Sequence, residues 1–253
     1  TRAHLEEDAG KLVHDAGARA SLVDLNRAGT PLLEIVTEPD LRTPEEALAL
    51  ARYLRTLCLS VGATRGVMQR GHMRFEPNIN CKLKLKDGRE ITTPIVEVKN
   101  LNSFRSLVGA IRYELKEQPK RWLETGEEFG PGMKSTRGWD DEKEITVLQR
   151  SKEDALDYRY FPEPDLPAVV VDDKWMSDLR ARMPELPLRR MRRYRDELGR
   201  PDRDAQALAF ERASADLFDE ALNACSSIGI DLRDAAAVAG NLIVQCLARL
   251  ASE

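Results

Sequence analysis

The sequence predicts an α+β fold in which a strand-rich part precedes an all-helical part. Apolar and polar residues alternate from Met73 to Leu85, which is the period of a strand with one buried face. Other stretches repeat apolar residues every three or four positions, as amphipathic helices do. After Pro187, prolines almost vanish and alanines become frequent. We therefore predict two domains, one over residues 1–186 and a helical one over residues 187–253.

The composition is that of an ordinary globular protein. Of the 253 residues, 42% are hydrophobic and 32% charged, and the net charge is -4. Any RNA contact must therefore come from a local basic patch. No apolar run reaches the length of a membrane span, of about 18 residues, and these residues show no signal-peptide pattern. The four cysteines form no CxxC motif, which favours free thiols in a reducing compartment. We expect a cytoplasmic protein, or an organellar one in a eukaryote, with no membrane partner.

The elements of the first domain can be placed in order. Leu32–Val36 is predicted to be a strand. A helix is predicted to begin at Thr43, a good N-cap followed by proline, and to end at Gly62. A second helix is predicted to begin near Asn102 or Ser103, and we expect Pro119 to kink or break it.

The rest of the chain changes from looped to helical. Residues 126–175 are rich in glycine and proline and are predicted to contain strands and loops. Helices are predicted at Ala205–Ala224 and Leu232–Leu250. The chain starts without methionine and stops at Glu253 inside a helical pattern, so we expect a fragment of a longer protein.

Residues 73–99 are predicted to form a hairpin. Asp87-Gly88 lies between two strand-like runs, which is a strong signal for a two-residue type I′ turn. With such a turn the numbers of paired residues sum to about 175. Glu76 then faces Lys99, and Asn78 faces Glu97, all on one face of the hairpin.

The polar face of this hairpin gathers groups that suit metal and phosphate binding. Neighbouring carboxylates recruit a cation, and carboxylate and amide oxygens suit Mg²⁺. Cationic side chains suit phosphate oxygens. A bulge at Pro77 or Pro94 would shift this register. The alternative is a solvated face with ordinary salt bridges between strands. The cluster consists of Arg74, Glu76, Asn78, Glu97 and Lys99.

Two further charged stretches stand out. His4–Gly10 contains Glu6, Glu7 and Asp8, which offer more carboxylates or simply form a charged turn. The start of the helical part is basic and is a candidate for binding RNA phosphates. Its alternative is a solvated helix face paired with nearby acids. The candidate RNA contacts are Arg189, Arg190, Arg192 and Arg193.

Six stretches, in order and covering most of residues 1–200, carry a family resemblance. They are His4–Lys11, Ser21–Val36, Glu38–Asp40, Val96–Phe104, Asp157–Pro167 and Pro184–Pro187. Together they resemble the B-subunit family of aspartyl/glutamyl-tRNA(Asn/Gln) amidotransferases.

The resemblance implies a fold and a reaction. The family has a cradle domain whose antiparallel sheet is similar to the glutamine synthetase catalytic fold, followed by a helical domain. With ATP and Mg²⁺, the cradle phosphorylates the side-chain carboxylate of Glu-tRNA(Gln) or Asp-tRNA(Asn). Ammonia that an amidase A subunit releases from glutamine then displaces the phosphate, which makes the enzyme a carbon–nitrogen ligase. A small C subunit completes the heterotrimer, and misacylated tRNA is its substrate.

The family's metal-binding and catalytic acids carry over to Glu7, Glu76 and Glu97. Candidates for contacts with nucleotide, metal or acyl group are Arg74, Asn78, Lys99 and Asn100. Many members have Cys-Asp-Ala-Asn where this chain has Phe75–Asn78, so its acid is one methylene longer and a proline follows it. The family's opening segment and its C-terminal tail domain are missing, so we expect the chain alone to be catalytically incomplete.

Two alternatives remain open at this point. One is an archaeal-type E-subunit relative, which shares the cradle but carries a large extra domain. The other is a scaffold of the same fold that binds tRNA without catalysis. The acidic identity of Glu7, Glu76 and Glu97 argues against the scaffold.

Overall fold

The computed structural model describes residues 2–14, 21–151 and 170–247. The chain divides into two compact units, Thr1–Thr43 and Pro44–Glu253. The predicted boundary between residues 186 and 187 stays a prediction. The Asp157–Pro167 stretch lies outside the described residues, as does the end of the helix predicted at Leu232–Leu250.

The first unit consists of two antiparallel strand pairs. Strand β1 (Arg2–Glu7) pairs with β4 (Pro31–Val36), and β2 (Lys11–His14) pairs with β3 (Ser21–Asp24). The strand predicted at Leu32–Val36 is therefore confirmed.

The second unit begins with helix α1 (Pro44–Ser60), which confirms the helix predicted after Thr43. A short 3₁₀ turn follows at Met68–Arg70. The unit then contains six strands and the long helix α2. Their bounds are β5 (Asn78–Ile79), β6 (Lys82–Lys84), β7 (Glu90–Thr92), β8 (Ile95–Lys99), α2 (Phe104–Thr125), β9 (Lys134–Asp140) and β10 (Ile145–Ser151).

Four of these strands form one sheet, in the order β10-β9-β8-β5. The two outer pairs are antiparallel, but β8 and β9 run parallel. The wholly antiparallel sheet that we predicted is therefore wrong at its centre. The reason is the connection between the two strands. A crossover helix returns the chain to the end of the sheet where the first strand began, so the next strand runs parallel to it. Here α2 is that crossover.

Helix α2 begins with a side-chain cap and packs on the sheet. The hydroxyl of Ser103 accepts a hydrogen bond from the backbone N–H of Ser106 at 2.9 Å. The predicted break at Pro119 is wrong, since the helix continues to Thr125 and ends at Gly126 in the left-handed conformation. Proline removes one helical hydrogen bond. Glu114 and Gln118, which precede the proline, are buried, and the half-buried Arg121 after it pairs with Glu114, so these contacts hold the helix together across Pro119.

The sheet and α2 share a hydrophobic core. Val98 of β8 and Ala110 of α2 have no exposed surface, and Trp139 of β9 is also buried. Gly109 allows this close approach, because a Cβ atom there would lie 2.9 Å from the Trp139 ring.

Helices follow over the rest of the described chain. They are α3 (Asp173–Arg182), α4 (Pro187–Asp196), α5 (Asp202–Phe210), α6 (Arg212–Ser227) and α7 (Leu232–Asn241), and a π-helical segment follows at Leu242–Leu247. Helices α4 to α7 and the π-helical segment share a hydrophobic core, whereas α3 has no buried residue. The single helix predicted at Ala205–Ala224 is wrong, since Glu211 is extended and separates α5 from α6. Tertiary packing explains the break, because Leu208 and Phe218 from the two halves are buried in the same cluster. None of the described helices is long and apolar enough to cross a membrane.

Candidate functional site

The predicted hairpin pairs as expected at its polar face. Asn78 of β5 pairs with Glu97 of β8, and Ile79 pairs with Val96. Between residues 75 and 85 the odd positions are buried or half-buried and the even positions exposed, which confirms the predicted alternation. The ladder is less continuous than predicted, because residues 73–77 form no strand and β5 is separated from β6.

The turn of the hairpin differs from the prediction. Lys82 pairs with Thr92 and Lys84 with Glu90, so the loop has three residues, 86–88, instead of two. Gly88 has φ +87° and its N–H donates to the carbonyl of Leu85 at 3.0 Å. This is the geometry of a three-residue hairpin loop with glycine in the left-handed position. By itself this turn would place the pairing one residue away from the predicted register.

A bulge restores the predicted register before the chain reaches the polar cluster. The N–H of Thr93 donates to the carbonyl of Cys81 at 2.9 Å. The next pair is Ile79 with Val96, so Pro94 and Ile95 lie opposite Asn80 alone. Two residues opposite one define a β-bulge, and a proline fits there because it has no N–H to donate to the ladder.

As a result, the two hairpin carboxylates share one lysine. The Lys99 ammonium lies 3.6 Å from Glu76 Oε2 and 3.9 Å from Glu97 Oε1. The Glu97 side chain is 14% exposed and that of Glu76 is 40% exposed. The predicted meeting of Glu76, Asn78, Glu97 and Lys99 on one face is therefore confirmed, while their metal and nucleotide roles stay a prediction.

Strand β9 adds two residues that the sequence reasoning missed. Lys134 Nζ lies 3.0 Å from Glu97 Oε2, and the Thr136 hydroxyl donates to the same oxygen at 3.5 Å. Both residues reach Glu97 because β9 runs parallel to β8, with Thr136 directly opposite Glu97. Residues Lys134 to Gly138 show no alternation of apolar and polar side chains, so no local signal indicates this strand or the strand it pairs with.

The oxygen donors of this face suit a magnesium ion. Two carboxylates, the amide oxygen of Asn78 and the hydroxyl of Thr136 are hard oxygen ligands, which Mg²⁺ prefers. Lys99 and Lys134 balance the two carboxylates in formal charge. A divalent cation at this face would make it net positive, and such a surface attracts phosphate groups.

The other two candidates on this hairpin differ from each other. Arg74 is exposed and, within the part of the chain that the structure describes, makes no ion pair. Asn100 has a left-handed backbone, with φ +65°, and its side-chain amide donates to the carbonyl of Trp139 at 3.0 Å. Asn100 therefore ties the end of β8 to the end of β9.

The first unit contains Glu7 and a separate cluster. Glu7 pairs with Pro31 at the end of β1 and shares a face with Leu5 and Leu33, because directly opposed and alternate residues share a face. The opposite face contains a cluster that we did not predict, in which one ligand atom from each of three residues lies within 4.8 Å of the others. His4 Nε2 lies 2.6 Å from Glu6 Oε1 and 3.4 Å from Glu34 Oε2. The assignment of Glu7 as a metal ligand stays a prediction.

The four candidate RNA-binding arginines fall into two pairs. Arg190 donates to Asp216 of α6 at 2.9 Å. Arg193 donates to Asp219 of α6 at 2.9 Å and to Glu185 at 2.7 Å. Burial lowers the pKa of Arg193, but the two carboxylates outweigh it and the pKa is raised overall. These two arginines join α4 to α6, whereas Arg189 and Arg192 are exposed.

This chain is similar to a known protein family over most of its length. Residues 1–177 match the family described as the GatB/GatE catalytic domain. Among curated relatives, the B subunit of the aspartyl/glutamyl-tRNA(Asn/Gln) amidotransferase of Caldicellulosiruptor saccharolyticus is 46% identical over 227 residues, or 90% of this chain and 46% of the relative. The proteins of the same name from Roseiflexus castenholzii and Bordetella pertussis are 44% and 46% identical, over 93% and 87% of this chain and 47% and 45% of the relatives. The chain thus spans about half the length of the curated relatives it matches.

Proposed function

The chain belongs to the GatB/GatE catalytic domain family, and from this premise we propose that it is the carboxylate-activating part of an aspartyl/glutamyl-tRNA amidotransferase. Its substrate would be Glu-tRNA(Gln) or Asp-tRNA(Asn), and its product Gln-tRNA or Asn-tRNA. The observation that carries the proposal is the convergence of Glu76 and Glu97 on Lys99, with Lys134 beside them. Carboxylates next to lysines form a surface suited to a metal–nucleotide complex.

The proposed reaction has two steps. A side-chain carboxylate oxygen of the aminoacyl group attacks the γ-phosphorus of ATP, so that ADP leaves and an acyl phosphate forms. Ammonia from glutamine then attacks the acyl carbon, and phosphate leaves. The attacking carboxylate is already ionised at neutral pH, so the first step needs no general base.

The residues of the hairpin face have distinct roles in this proposal. Glu76 and Glu97 would hold Mg²⁺ together with the Asn78 amide oxygen. The ion would reduce the repulsion between the phosphate oxygens and the incoming carboxylate. Lys99 and Lys134, which contact the carboxylates here, then become available to phosphate oxygens.

The partners belong to the proposal as well. We propose that the chain works with an amidase A subunit and a small C subunit, which supply ammonia, and that misacylated tRNA binds to the assembly. Of the four candidate arginines, Arg189 and Arg192 are the better RNA contacts, because the others are paired with α6. When exposed arginines neutralise RNA phosphates, the RNA releases its bound counterions, which favours binding.

The test uses the full-length protein in its assembled complex. Glu97→Gln and Glu76→Gln should each lower the rate of ADP formation that depends on Mg²⁺ and Glu-tRNA by about 10²-fold or more, since electrostatic groups at a reacting phosphate carry effects of that size. Binding of tRNA should stay unchanged. The matched control is Glu90→Gln, an exposed acid at the far end of the same hairpin, which should keep the full rate. If Glu97→Gln keeps the full rate, the site assignment is wrong. If the intact complex binds tRNA but forms no ADP, the protein is a scaffold.

A further inference from the structure

Next to the bulge at Pro94, hydrogen bonds from side chains take the place of backbone hydrogen bonds between the two strands. The backbone N–H of Cys81 donates to the hydroxyl oxygen of Thr93 at 2.8 Å. The carbonyl of Ile79 accepts from the side-chain amide of Gln118 at 3.0 Å. Gln118 lies on α2, so a helix supplies a hydrogen bond to a strand at the place where the ladder is interrupted.

Gln118 holds both strands of the hairpin at once. Its Oε1 accepts from the Thr93 hydroxyl at 2.6 Å, and its Nε2 donates to Ile79 on the other strand. A side-chain amide has an acceptor on one side and a donor on the other, which suits it to this bridging role. Thr93 and Gln118 are 1% and 3% exposed, so water does not readily replace these bonds, and losing one leaves a buried polar group unpaired.

The orientation of the Gln118 amide is fixed by a buried carboxylate. Gln118 Nε2 also lies 3.2 Å from Glu114 Oε2. An ionised carboxylate only accepts hydrogen bonds, so the opposite amide orientation would place two oxygens together. Glu114 has no exposed surface and pairs with Arg121 and Arg137, which keeps this carboxylate in place.

The clamped bulge determines which residues reach the candidate metal face. Ile79 follows Asn78, which pairs with Glu97. A slip of one residue in an antiparallel pair moves every side chain to the opposite face. Without the bulge, the register of the turn would place Glu76 opposite Val98 and would turn Glu97 to the buried face of Ile79, away from Glu76.

We propose that Thr93 and Gln118 are positioning residues, which fix the bulge at Pro94 and so hold Glu76, Asn78 and Glu97 in register on one face. This inference rests on the proposed function, because it assigns the clamp to the metal-binding face of that reaction.

The variants separate positioning from general stability. Thr93→Val keeps the shape and removes the hydroxyl, whereas Thr93→Ser keeps the hydroxyl. The matched control is Thr146→Val. Thr146 is equally buried and its hydroxyl donates to Glu114, as that of Thr93 donates to Gln118, but Thr146 lies on β10 outside the hairpin.

Two measurements are made on the full-length assembled protein. The first is hydrogen exchange of the Val98 amide, which donates across the hairpin to the carbonyl of Pro77 at 3.0 Å. The second is Mn²⁺ affinity, measured by electron paramagnetic resonance, with Glu97→Gln as the reference for loss of the site. Thr93→Val should speed the exchange and weaken Mn²⁺ binding about five- to thirtyfold, as the loss of one buried hydrogen bond does. Thr93→Ser should restore both to within about twofold. Thr146→Val should change both by less than Thr93→Val does, because Thr146 acts on Gln118 through Glu114.

Three outcomes would overturn the inference. One is that Thr93→Val changes neither quantity. Another is that Thr146→Val changes both as much as Thr93→Val does, which would mean that the network only stabilises the fold. The third is faster Val98 exchange in Thr93→Val with unchanged Mn²⁺ affinity while Glu97→Gln abolishes binding. Failure of the proposed function looks different, because there Glu97→Gln itself leaves Mn²⁺ affinity unchanged.

Discussion

The carboxylate of Glu114 offers the sharpest test of how this fold is held together. It is fully buried and pairs with Arg121 and Arg137, and it accepts hydrogen bonds from Thr146 and Gln118. Helix α2 thereby connects to both β9 and β10 through one charged group. Replacing Glu114 by glutamine keeps the size of the side chain and removes its charge.

The expected loss of stability comes from the arginines that lose their partner when the charge of Glu114 is removed. The Arg137 side chain is only 18% exposed, and burial together with Arg121 already lowers its pKa. Removing one partner of a buried ion pair costs about 3–5 kcal/mol, because the other charge stays buried. Arg121 is 32% exposed and can turn towards water, so we expect about 3 kcal/mol for Glu114→Gln. In a unit of this size that lowers the melting temperature by about 6–12 °C.

The assay is urea unfolding followed by tryptophan fluorescence, to which Trp139, packed against α2, contributes. The matched control is Glu117→Gln, one turn further along the same helix, where an exposed pair joins Glu117 and Lys120 at 2.6 Å. Exposed helical pairs contribute about 0.5 kcal/mol or less, so this variant should unfold close to the wild type. Equal losses of unfolding free energy in the two variants would refute the reasoning from burial.

Three further predictions follow from single contacts. Gly109→Ala, which stabilises most helices, should here destabilise the protein by about 1–3 kcal/mol in urea unfolding, because the new methyl group meets the Trp139 ring; a gain in stability would contradict the 2.9 Å approach. Lys134→Gln should tighten Mn²⁺ binding about fivefold, since it removes a cation that competes with the metal ion for Glu97. The same variant should bind ATP more weakly, and weaker Mn²⁺ binding would contradict the competition between Lys134 and the metal ion. Burial raises the pKa of Tyr194, so above about pH 10 the unfolded chain releases this proton while the folded chain keeps it. The free energy of unfolding should therefore fall more steeply between about pH 9 and 11 in the wild type than in Tyr194→Phe, and equal slopes would contradict the assignment.

Local signals in the sequence predicted helix α1, the start of helix α2 and one strand pairing of the candidate site. The helix after Thr43 carries a cap and a regular apolar stripe, so nothing distant was needed to place it. Pro119 misled because propensity describes an isolated helix, whereas this one is anchored by buried Glu114 and Gln118 before the proline and by the pair of Arg121 with Glu114 across it. The break at Glu211 has the same origin, since two halves of one apolar pattern pack into a single core.

The candidate site was predictable only where it lies within one hairpin. Glu76, Glu97 and Lys99 are brought together by sequence-local pairing, which alternation reveals. Lys134 was missed because it comes from a strand that pairs with β8 only after a crossover helix, and no pattern within either strand identifies the partner. The arginines of α4 show the opposite case, since Arg190 and Arg193 look like free cations in the sequence and are paired with a helix that follows much later.

The hairpin shows why the prediction of the polar face was right although the predicted turn was wrong. The three-residue loop at Gly88 determines the pairing of β6 with β7, and that register disagrees with the buried positions of β5 and β8. Burial of Ile79, Val96 and Val98 is worth roughly 2 kcal/mol or more for each side chain, whereas a bulge interrupts only a short part of the ladder. The apolar face therefore sets the register next to the sheet, the loop sets it next to the turn, and the bulge at Pro94 takes up the one-residue difference. Because side chains on the two faces alternate strictly, fixing the buried face also fixes where Glu76 and Glu97 point, and this is why the polar cluster follows from alternation alone.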